Sequence, residues 1–120
     1  MDNYSRIRHF EQFLFEITEE IMKKRYEYDS SLAENARKHS EYMAREDKLV
    51  HAPDYFLWGL AENVDLAEIG NNYIRTLIRI ACQFRDSRVH AENLWRFRQI
   101  GIGIAFRYPK LYVTERFRVE

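Results

Sequence analysis

Apolar residues recur three and four positions apart in the first 45 residues, and this spacing predicts two amphipathic helices. The first is expected over 5–26. A second helix is predicted after Asp29, where Ser31 and Glu34 have the spacing of a capping box. The apolar positions of the first helix are Ile7, Phe10, Phe13, Leu14, Ile17, Ile21 and Met22. Its charged residues, expected on other faces, are Glu11, Glu19, Glu20, Lys23 and Lys24. The inner face of the second helix is predicted to hold Leu32, Ala36, His39 and Met43.

Helical spacing stops near Lys48 and returns after Gly70. Pro53 and Gly59 interrupt this stretch, which we interpret as a long irregular segment of the kind that often carries function. Its aromatic residues are Tyr55, Phe56 and Trp58. A third helix is predicted after Asn72, with a buried stripe formed by Ile74, Leu77, Ile78, Ala81 and Phe84. Ser87 is then expected to cap a short helical turn that contains His90 and Leu94.

The end of the chain has the period of a strand. Bulky residues at 100, 102, 104 and 106 alternate with Gly101, Gly103 and Ala105, which predicts a strand with one bulky face and one nearly bare face. Bare positions allow another backbone or a ligand to approach closely. Residues 108–110 predict a turn, and 111–119 an antiparallel partner strand. We therefore expect one α+β domain over residues 1–120.

Composition narrows the classes of partner. Lys plus Arg and Asp plus Glu number 19 each, so we expect no nucleic-acid partner. The halves differ mildly, because residues 1–60 have a net charge of −3 and residues 61–120 a net charge of +3. Cys82 is the only cysteine, which excludes an intrachain disulfide. No stretch is apolar over the length that a transmembrane helix requires.

The residue types suited to chemistry are His51, Glu62 and His90. Imidazole titrates near neutral pH and binds transition metals, so two histidines and a carboxylate in one cleft suit acid–base work or metal binding. The 39-residue separation of the two histidines is not a local metal motif, and spacing alone does not bring them together. His9 and His39 lie within helical patterns, where we expect ordinary packing or surface roles.

Five segments, in order, resemble the CAP superfamily, also called SCP: cysteine-rich secretory proteins, antigen 5 and pathogenesis-related 1. Residues 32–44 followed by His51 are similar to its helix and first histidine, and Ala61-Glu62-Asn63-Val64 to its Gly-Glu-Asn-Ile signature. Phe84-x-x-Ser87-x-x-His90-x-x-Asn93-Leu94 is similar to its Trp-x-x-Ser-x-x-His-x-x-Asn-Leu segment. Residues 101–105 match its Gly-Val-Gly strand, and Tyr112-x-Thr114-x-x-Phe117 its closing strand.

The resemblance implies a three-layer α-β-α sandwich with a small, mainly antiparallel sheet. It also implies a groove in which His51, Glu62 and His90 meet, with Asn63, Ser87, Tyr55 and Trp58 as further groove or ligand contacts. The absence of disulfides resembles bacterial members, and the resemblance implies an extracellular or cell-envelope location. Residues 1–6 lack the apolar segment of a signal peptide, which keeps a cytoplasmic location as the alternative.

Several positions depart from the family pattern. Ala61 replaces the signature glycine, Phe84 replaces tryptophan, and Glu115 stands where glutamine is frequent, as a surface charge or a groove acid. Many members carry a second groove glutamate on the helix before the second histidine. No acidic residue lies between Glu68 and Asp86, so we expect three groove residues of this type rather than four.

Three functional interpretations follow. The first, which we favour, is a binding or interaction domain for a lipid, peptide or glycan, with a groove that binds a divalent metal. The alternative is a metal-dependent hydrolase in which His51 and His90 hold Zn²⁺ or another divalent cation and Glu62 is the catalytic general base. In the third, Glu62 hydrogen-bonds a histidine or the backbone and only fixes the long segment.

Overall fold

The computed structural model describes residues 3–53 and 59–119. Within these ranges the chain forms four helices and four strands. In chain order they are α1 (Asn3–Met22), β1 (Glu27–Tyr28), α2 (Ser30–Glu46), β2 (Leu60–Glu68), α3 (Tyr73–Asp86), α4 (Arg88–Arg96), β3 (Gln99–Arg107) and β4 (Lys110–Arg118).

The strands form one sheet in the order β1-β3-β4-β2. β1 and β3 run parallel, while β3–β4 and β2–β4 are antiparallel. Helix α2 packs on one face of the sheet, and the core on the other face joins α1, α3 and α4 to the large side chains of β3 and β4. The predicted α+β fold, a three-layer α-β-α sandwich with a mainly antiparallel sheet, is therefore confirmed.

The bare face of β3 is the face on which α2 lies. A Cβ atom added to Gly101 would stand 2.2 Å from Ala33 N, and one added to Gly103 would stand 2.0 Å from Arg37 N. Real side chains do not approach backbone atoms this closely, so only glycine fits at either position. The sequence pattern left open what occupies the bare face, and the structure places a helix backbone there.

The predicted helix ends need correction. Helix α1 stops at Met22 instead of 26, because Lys23 adopts a left-handed φ of 52° that ends the helical run. Helix α2 begins at Ser30, and its cap is Asp29, whose side chain accepts a hydrogen bond from Leu32 N at 3.0 Å. The capping box expected from Ser31 was therefore wrong by two positions.

Residues 60–68 of the predicted irregular segment are a regular strand. β2 pairs with β4 over its whole length. Its alternation is not visible in the sequence because polar Glu62 and Asn63 are both buried, one on each face. The interpretation of 48–70 as continuously irregular was wrong for these nine residues.

The buried stripe of α3 is rotated from the predicted one. Leu77, Ala81 and Phe84 are buried as expected, but Ile74 and Ile78 are exposed and Ile80 is fully buried. Ile80 lies on the face shared with Leu77 and Phe84, and the sheet takes that face. A run with isoleucine at 74, 78 and 80 offers two possible stripes, and only the tertiary contacts select one.

Glu11 was expected on an outer face of α1, and it is buried instead. Its carboxylate accepts two hydrogen bonds from Arg37 of α2, at 2.6 and 2.8 Å, and a third from Ile104 N at 3.0 Å. α1 thus reaches around the outer edge of β3 and joins the helices on both faces of the sheet. Burial of Glu11 is possible because this donor set satisfies both of its oxygens.

Helix α4 is anchored at its C-terminal end. Lys24 Nζ donates to the carbonyl oxygens of Leu94, Trp95 and Phe97 at 2.8–2.9 Å. Tyr26 donates its hydroxyl to Leu94 O at 2.6 Å. These donors satisfy carbonyls that a helix end leaves without intrahelical partners. The segment between α1 and β1 therefore fixes the helix that carries His90.

Replacing Gly103 tests the close approach of α2. We expect Gly103→Ala to lower the free energy of unfolding by about 3 kcal/mol or more, because the new methyl group overlaps the α2 backbone. The matched control is Gly70→Ala, whose Cβ would meet nothing within 4 Å. That control should change stability by less than about 1 kcal/mol in urea unfolding. Equal effects of the two substitutions would contradict the packing argument.

Candidate functional site

Glu62 is the fixed centre of the site. Its side chain is 0% exposed, yet both carboxylate oxygens have donors. Oε1 accepts from His51 Nδ1 at 2.9 Å and from Ala52 N at 3.0 Å, and Oε2 accepts from Arg116 Nε at 2.9 Å. Burial by itself would raise the pKa of Glu62, but these hydrogen bonds and the positive charge of Arg116 outweigh it and lower the pKa. Glu62 is thus a carboxylate near neutral pH.

Arg116 explains how a carboxylate is tolerated there. It is buried on the α2 face of β4, in register with Glu62 on β2 and with Gly101 on β3. A second contact, from Nη1 to Asn35 Oδ1, holds the guanidinium against α2. Sequence reasoning missed Arg116; the available signal was its position on the inward face of the closing strand, two residues after Thr114.

His51 is held from two sides and remains 48% exposed. Its Nδ1–H donates to Glu62, so a metal or an acceptor would be contacted through Nε2. The residue before it is also fixed, because His39 Nε2 donates to Val50 O at 2.6 Å. His39 is buried on α2, which agrees with the packing role expected from the helical pattern. Through its hydrogen bond to Val50 O it also positions the backbone next to His51. His9 lies exposed on α1.

His90 lies near the start of α4. Its Nδ1 is 3.0 Å from Ser87 Oγ, so Ser87 occupies the N-cap position but its hydroxyl meets the imidazole instead of a backbone N–H. Phe84 packs edge-on against the ring, with centroids 5.1 Å apart. Burial lowers the pKa of His90, the charge of Asp65 opposes this shift, and the charge of His51 adds to it. The charges of Asp65 and His51 thus act on the His90 imidazole in opposite directions.

Asn63 connects the sheet to the helix that carries His90. Its Nδ2 donates to His90 O at 3.1 Å and to Glu115 Oε1 at 3.1 Å, and its Oδ1 accepts from Asn93 Nδ2 at 2.9 Å. Asn93 Nδ2 also reaches Glu62 O at 3.4 Å. Asn63 is fully buried and these contacts position His90, while the expectation that Asn63 contacts a groove ligand stays a prediction.

Tyr55, Phe56 and Trp58 lie outside the described residues, and the expectation that Tyr55 and Trp58 contact a ligand stays a prediction. Among residues 3–53 and 59–119, no three His, Cys, Asp or Glu side chains are arranged to hold a metal ion. The two imidazoles predicted as metal ligands, His51 and His90, would be one fewer than the protein ligands typical of a catalytic zinc site.

Solved structures show the same arrangement of helices and strands. An outer surface protein from Borrelia burgdorferi is 14% identical, with a TM-score of 0.64 over 100% of this chain and 97% of that chain. The Ancylostoma-secreted protein Ac-ASP-7 is 15% identical, with a TM-score of 0.63 over 92% of this chain and 66% of that chain. NaASP2, solved with Zn²⁺, is 12% identical, with a TM-score of 0.59 over 98% of this chain and 80% of that chain.

These neighbours are CAP/SCP-like proteins. The chain has the CAP/SCP fold. At sequence identities of 12–15%, the similarity to these structures shows a shared fold alone. No family model matches the sequence, and no curated protein matches it.

Two departures from the CAP/SCP pattern are packing changes. Phe84 stands at the tryptophan position, is buried on α3 and contacts the His90 ring through its own ring. Ala61, at the signature glycine position, lies partly buried against the core on the α3 side. Neither change alters the donors around Glu62.

Glu115 behaves differently from a surface charge. It is fully buried opposite Asn63, and burial raises its pKa to about 8, with the negative charge of Asp65 adding to the shift and the Asn63 hydrogen bond opposing it. The carboxyl is therefore protonated at neutral pH. A protonated glutamate has the shape and neutral charge of glutamine, which explains how it fits a position where CAP/SCP-like sequences often have glutamine.

Asp65 is a second acidic group near His90 that sequence reasoning missed. It lies on β2 instead of on the helix before His90, and its charge acts on the His90 imidazole. Burial raises the pKa of Asp65. The hydrogen bond from Leu66 N–H and the charge of His90 lower this pKa and partly offset the effect of burial. Asp65 Oδ2 and Glu115 Oε2 are the buried side-chain oxygens without a hydrogen-bond partner among the described residues.

The buried carboxyl of Glu115 predicts a pH dependence of stability. Its pKa is about 8 in the folded chain against an ordinary value of 4.5, so its stabilising contribution is complete below 4.5 and is lost as pH rises towards 8. Glu115→Gln keeps the acceptor for Asn63 and does not titrate. Between pH 5 and pH 8 the wild type should lose roughly 1 kcal/mol per pH unit relative to this variant.

Urea unfolding at several pH values checks this expectation. Tyr26 and Asp65 also face Glu115, and both are present in wild type and variant, so the difference between the two curves isolates position 115. Glu68→Gln, which removes an exposed carboxylate from the neighbouring strand β2, is the matched control. Parallel curves for wild type and Glu115→Gln would contradict the protonated state.

Proposed function

We propose that this chain is a CAP/SCP-like binding domain whose His51–Glu62–His90 groove recognises a ligand and binds a divalent cation weakly. The observation that carries the proposal is the state of Glu62. Its carboxylate oxygens accept hydrogen bonds from His51, Ala52 and Arg116 inside the protein. Glu62 therefore orients the His51 imidazole, whose exposed side is then available to a ligand.

The hydrolase alternative has less support. A general base must reach the water or proton that it activates, and Glu62 is 0% exposed with donors already on both oxygens. Taking a proton would also leave Arg116 as a buried cation without its carboxylate. The geometry agrees better with the interpretation in which Glu62 fixes His51 and the backbone at Ala52.

The metal part of the proposal rests on the two imidazoles. A histidine whose Nδ1 donates to a carboxylate is oriented as metal-binding histidines usually are. His90 has a lowered pKa, which favours the neutral ring that a metal requires. NaASP2 was solved with Zn²⁺, and this supports Zn²⁺ as the first cation to test here. With two protein ligands, water or the bound ligand would complete the coordination.

The ligand would be a lipid, a peptide or a glycan, presented outside the cell or in the cell envelope. The names of the structural neighbours describe an outer surface protein and a secreted protein, which supports this location. None of the described helices is long and apolar enough to span a bilayer. A binding domain acts by forming a complex with its ligand, so the measurement that reports its function is the affinity for that ligand.

A thermal shift experiment tests the metal site. Zn²⁺ should raise the Tm of the wild type but not of His51→Ala or His90→Ala, because a ligand that binds only the folded state stabilises it. At free Zn²⁺ tenfold above Kd, the stabilisation is about 1.4 kcal/mol. His9→Ala removes an exposed histidine from α1 and is the matched control. A shift that survives in both site variants would overturn the metal assignment.

Ligand binding is tested separately from metal binding. Phosphatidylcholine vesicles, an extended peptide library and a glycan array would be screened with the wild type and with the double variant His51→Ala/His90→Ala. Binding in the groove predicts a weaker signal for the double variant in the presence of Zn²⁺ and of a chelator alike. A binding signal that is unchanged in the double variant would mean that the ligand binds elsewhere on the molecule. Hydrolysis of a bound ligand by the wild type, lost in His90→Ala, would favour the enzyme.

A further inference from the structure

A cavity of about 530 Å³ lies at the far side of the sheet from the histidines. Its walls come from the start of α1, the last turns of α2, the start of α3 and the end of β3. Glu62 lies on β2 at one edge of the sheet, in register through Arg116 with Gly101. The cavity meets β3 four to six residues farther along, at the other edge. We call it the β3-edge cavity, and it is separate from the proposed groove.

The floor of the β3-edge cavity is apolar and aromatic. Tyr73 and Phe106 line it and pack edge to face, with centroids 5.9 Å apart. Phe10 stacks on Tyr73 from α1 at 5.2 Å and holds the ring in place. The remaining apolar and aromatic lining is Ile7, Ala44, Ala105 and Tyr108. A flat ring or a short aliphatic chain would find a preformed surface here.

The rim carries three arginines from three different elements: Arg6 of α1, Arg45 of α2 and Arg107 of β3. Arg107 is occupied, because its Nη1 donates to Ala44 O and Arg45 O at 3.2 and 3.1 Å. Arg6 and Arg45 form no ion pair with any carboxylate of the described residues, and Arg45 lies over the Tyr42 ring. Glu41 is the acidic residue of the described lining.

We propose that the β3-edge cavity binds a small organic anion, with a carboxylate, sulfonate or phosphate group on a flat aromatic or short aliphatic body. Arg6 and Arg45 contact the anionic group, since guanidinium forms charge-assisted, often bidentate hydrogen bonds with such groups. Tyr73 and Phe106 contact the body. The volume lies within the range of small-molecule sites, and the excess of arginines over Glu41 favours anions over neutral and cationic compounds.

Two fluorescent probes that differ only in charge test the proposal. Anilinonaphthalene sulfonate carries an anionic group, and phenylnaphthylamine has the same rings without it. We expect the folded chain to bind one equivalent of the sulfonate probe more tightly than the neutral probe. Arg6→Gln/Arg45→Gln should weaken the sulfonate probe about tenfold or more and leave the neutral probe within about twofold.

The matched control is Arg75→Gln/Arg88→Gln, which removes the same charge from exposed positions on α3 and α4. It should leave both probes unchanged. Tyr73→Ala should weaken both probes, because it removes part of the shared floor. Circular dichroism and the Tm of each variant confirm folding before titration.

Two results would overturn the proposal. Equal weakening of the sulfonate probe by both arginine pairs would mean attraction by overall charge alone. Retention of its full affinity by Arg6→Gln/Arg45→Gln would mean that the probe binds at another place. Backbone amide shifts at 6–7, 41–45 and 105–108 on addition of the probe would mark the cavity directly, and shifts confined to 51–53 and 87–93 would mark the histidine groove instead.

Discussion

Helix α2 lies so close to β3 that its backbone fills the space where side chains at 101 and 103 would begin. This contact lets Ser40 Oγ donate to Gly103 O at 2.8 Å, with Thr114 Oγ1 also 2.8 Å away. It brings Asn35 to the Arg116 guanidinium, and Arg116 in turn holds Glu62. The orientation of His51 is thus the end of a series of contacts that starts at two glycines.

Most of the fold could be predicted from the sequence because its signals are local. Helical spacing marked α1, α2 and α3, and alternation marked the β3–β4 hairpin. β2 could not be predicted in this way, since Glu62, Asn63 and Asp65 interrupt its apolar pattern. The burial of Glu62 and Asn63 depends on partners far away in the chain: Arg116 for Glu62, 54 residues away, and His90 O for Asn63, 27 residues away. No local pattern contains that information.

The contact between His51 and Glu62 agrees with the prediction from the sequence, whereas the protonation states around it could not be predicted. The family-like segments pointed to His51, Glu62 and His90, and the structure places the first two in direct contact. The sequence left Glu62 open as a general base or a fixed hydrogen-bond acceptor, and Glu115 as a surface charge or a groove acid. Burial changes both: Glu62 stays ionised because Arg116 and His51 surround it, whereas Glu115 has only an amide donor and stays protonated. One residue type therefore has two protonation states on neighbouring strands of one sheet.

The buried pair of Glu11 and Arg37 has a consequence for how copies of this chain behave towards one another. Beyond Ile100, β3 pairs with no strand on its outer side among the described residues, and such an edge is a template for strand addition by another molecule. Glu11 occupies the Ile104 N–H on that side, and α1 lies across it. The ion pair that joins the two helical layers therefore also covers the β3 edge at Ile104 and closes that N–H to strand addition by another molecule.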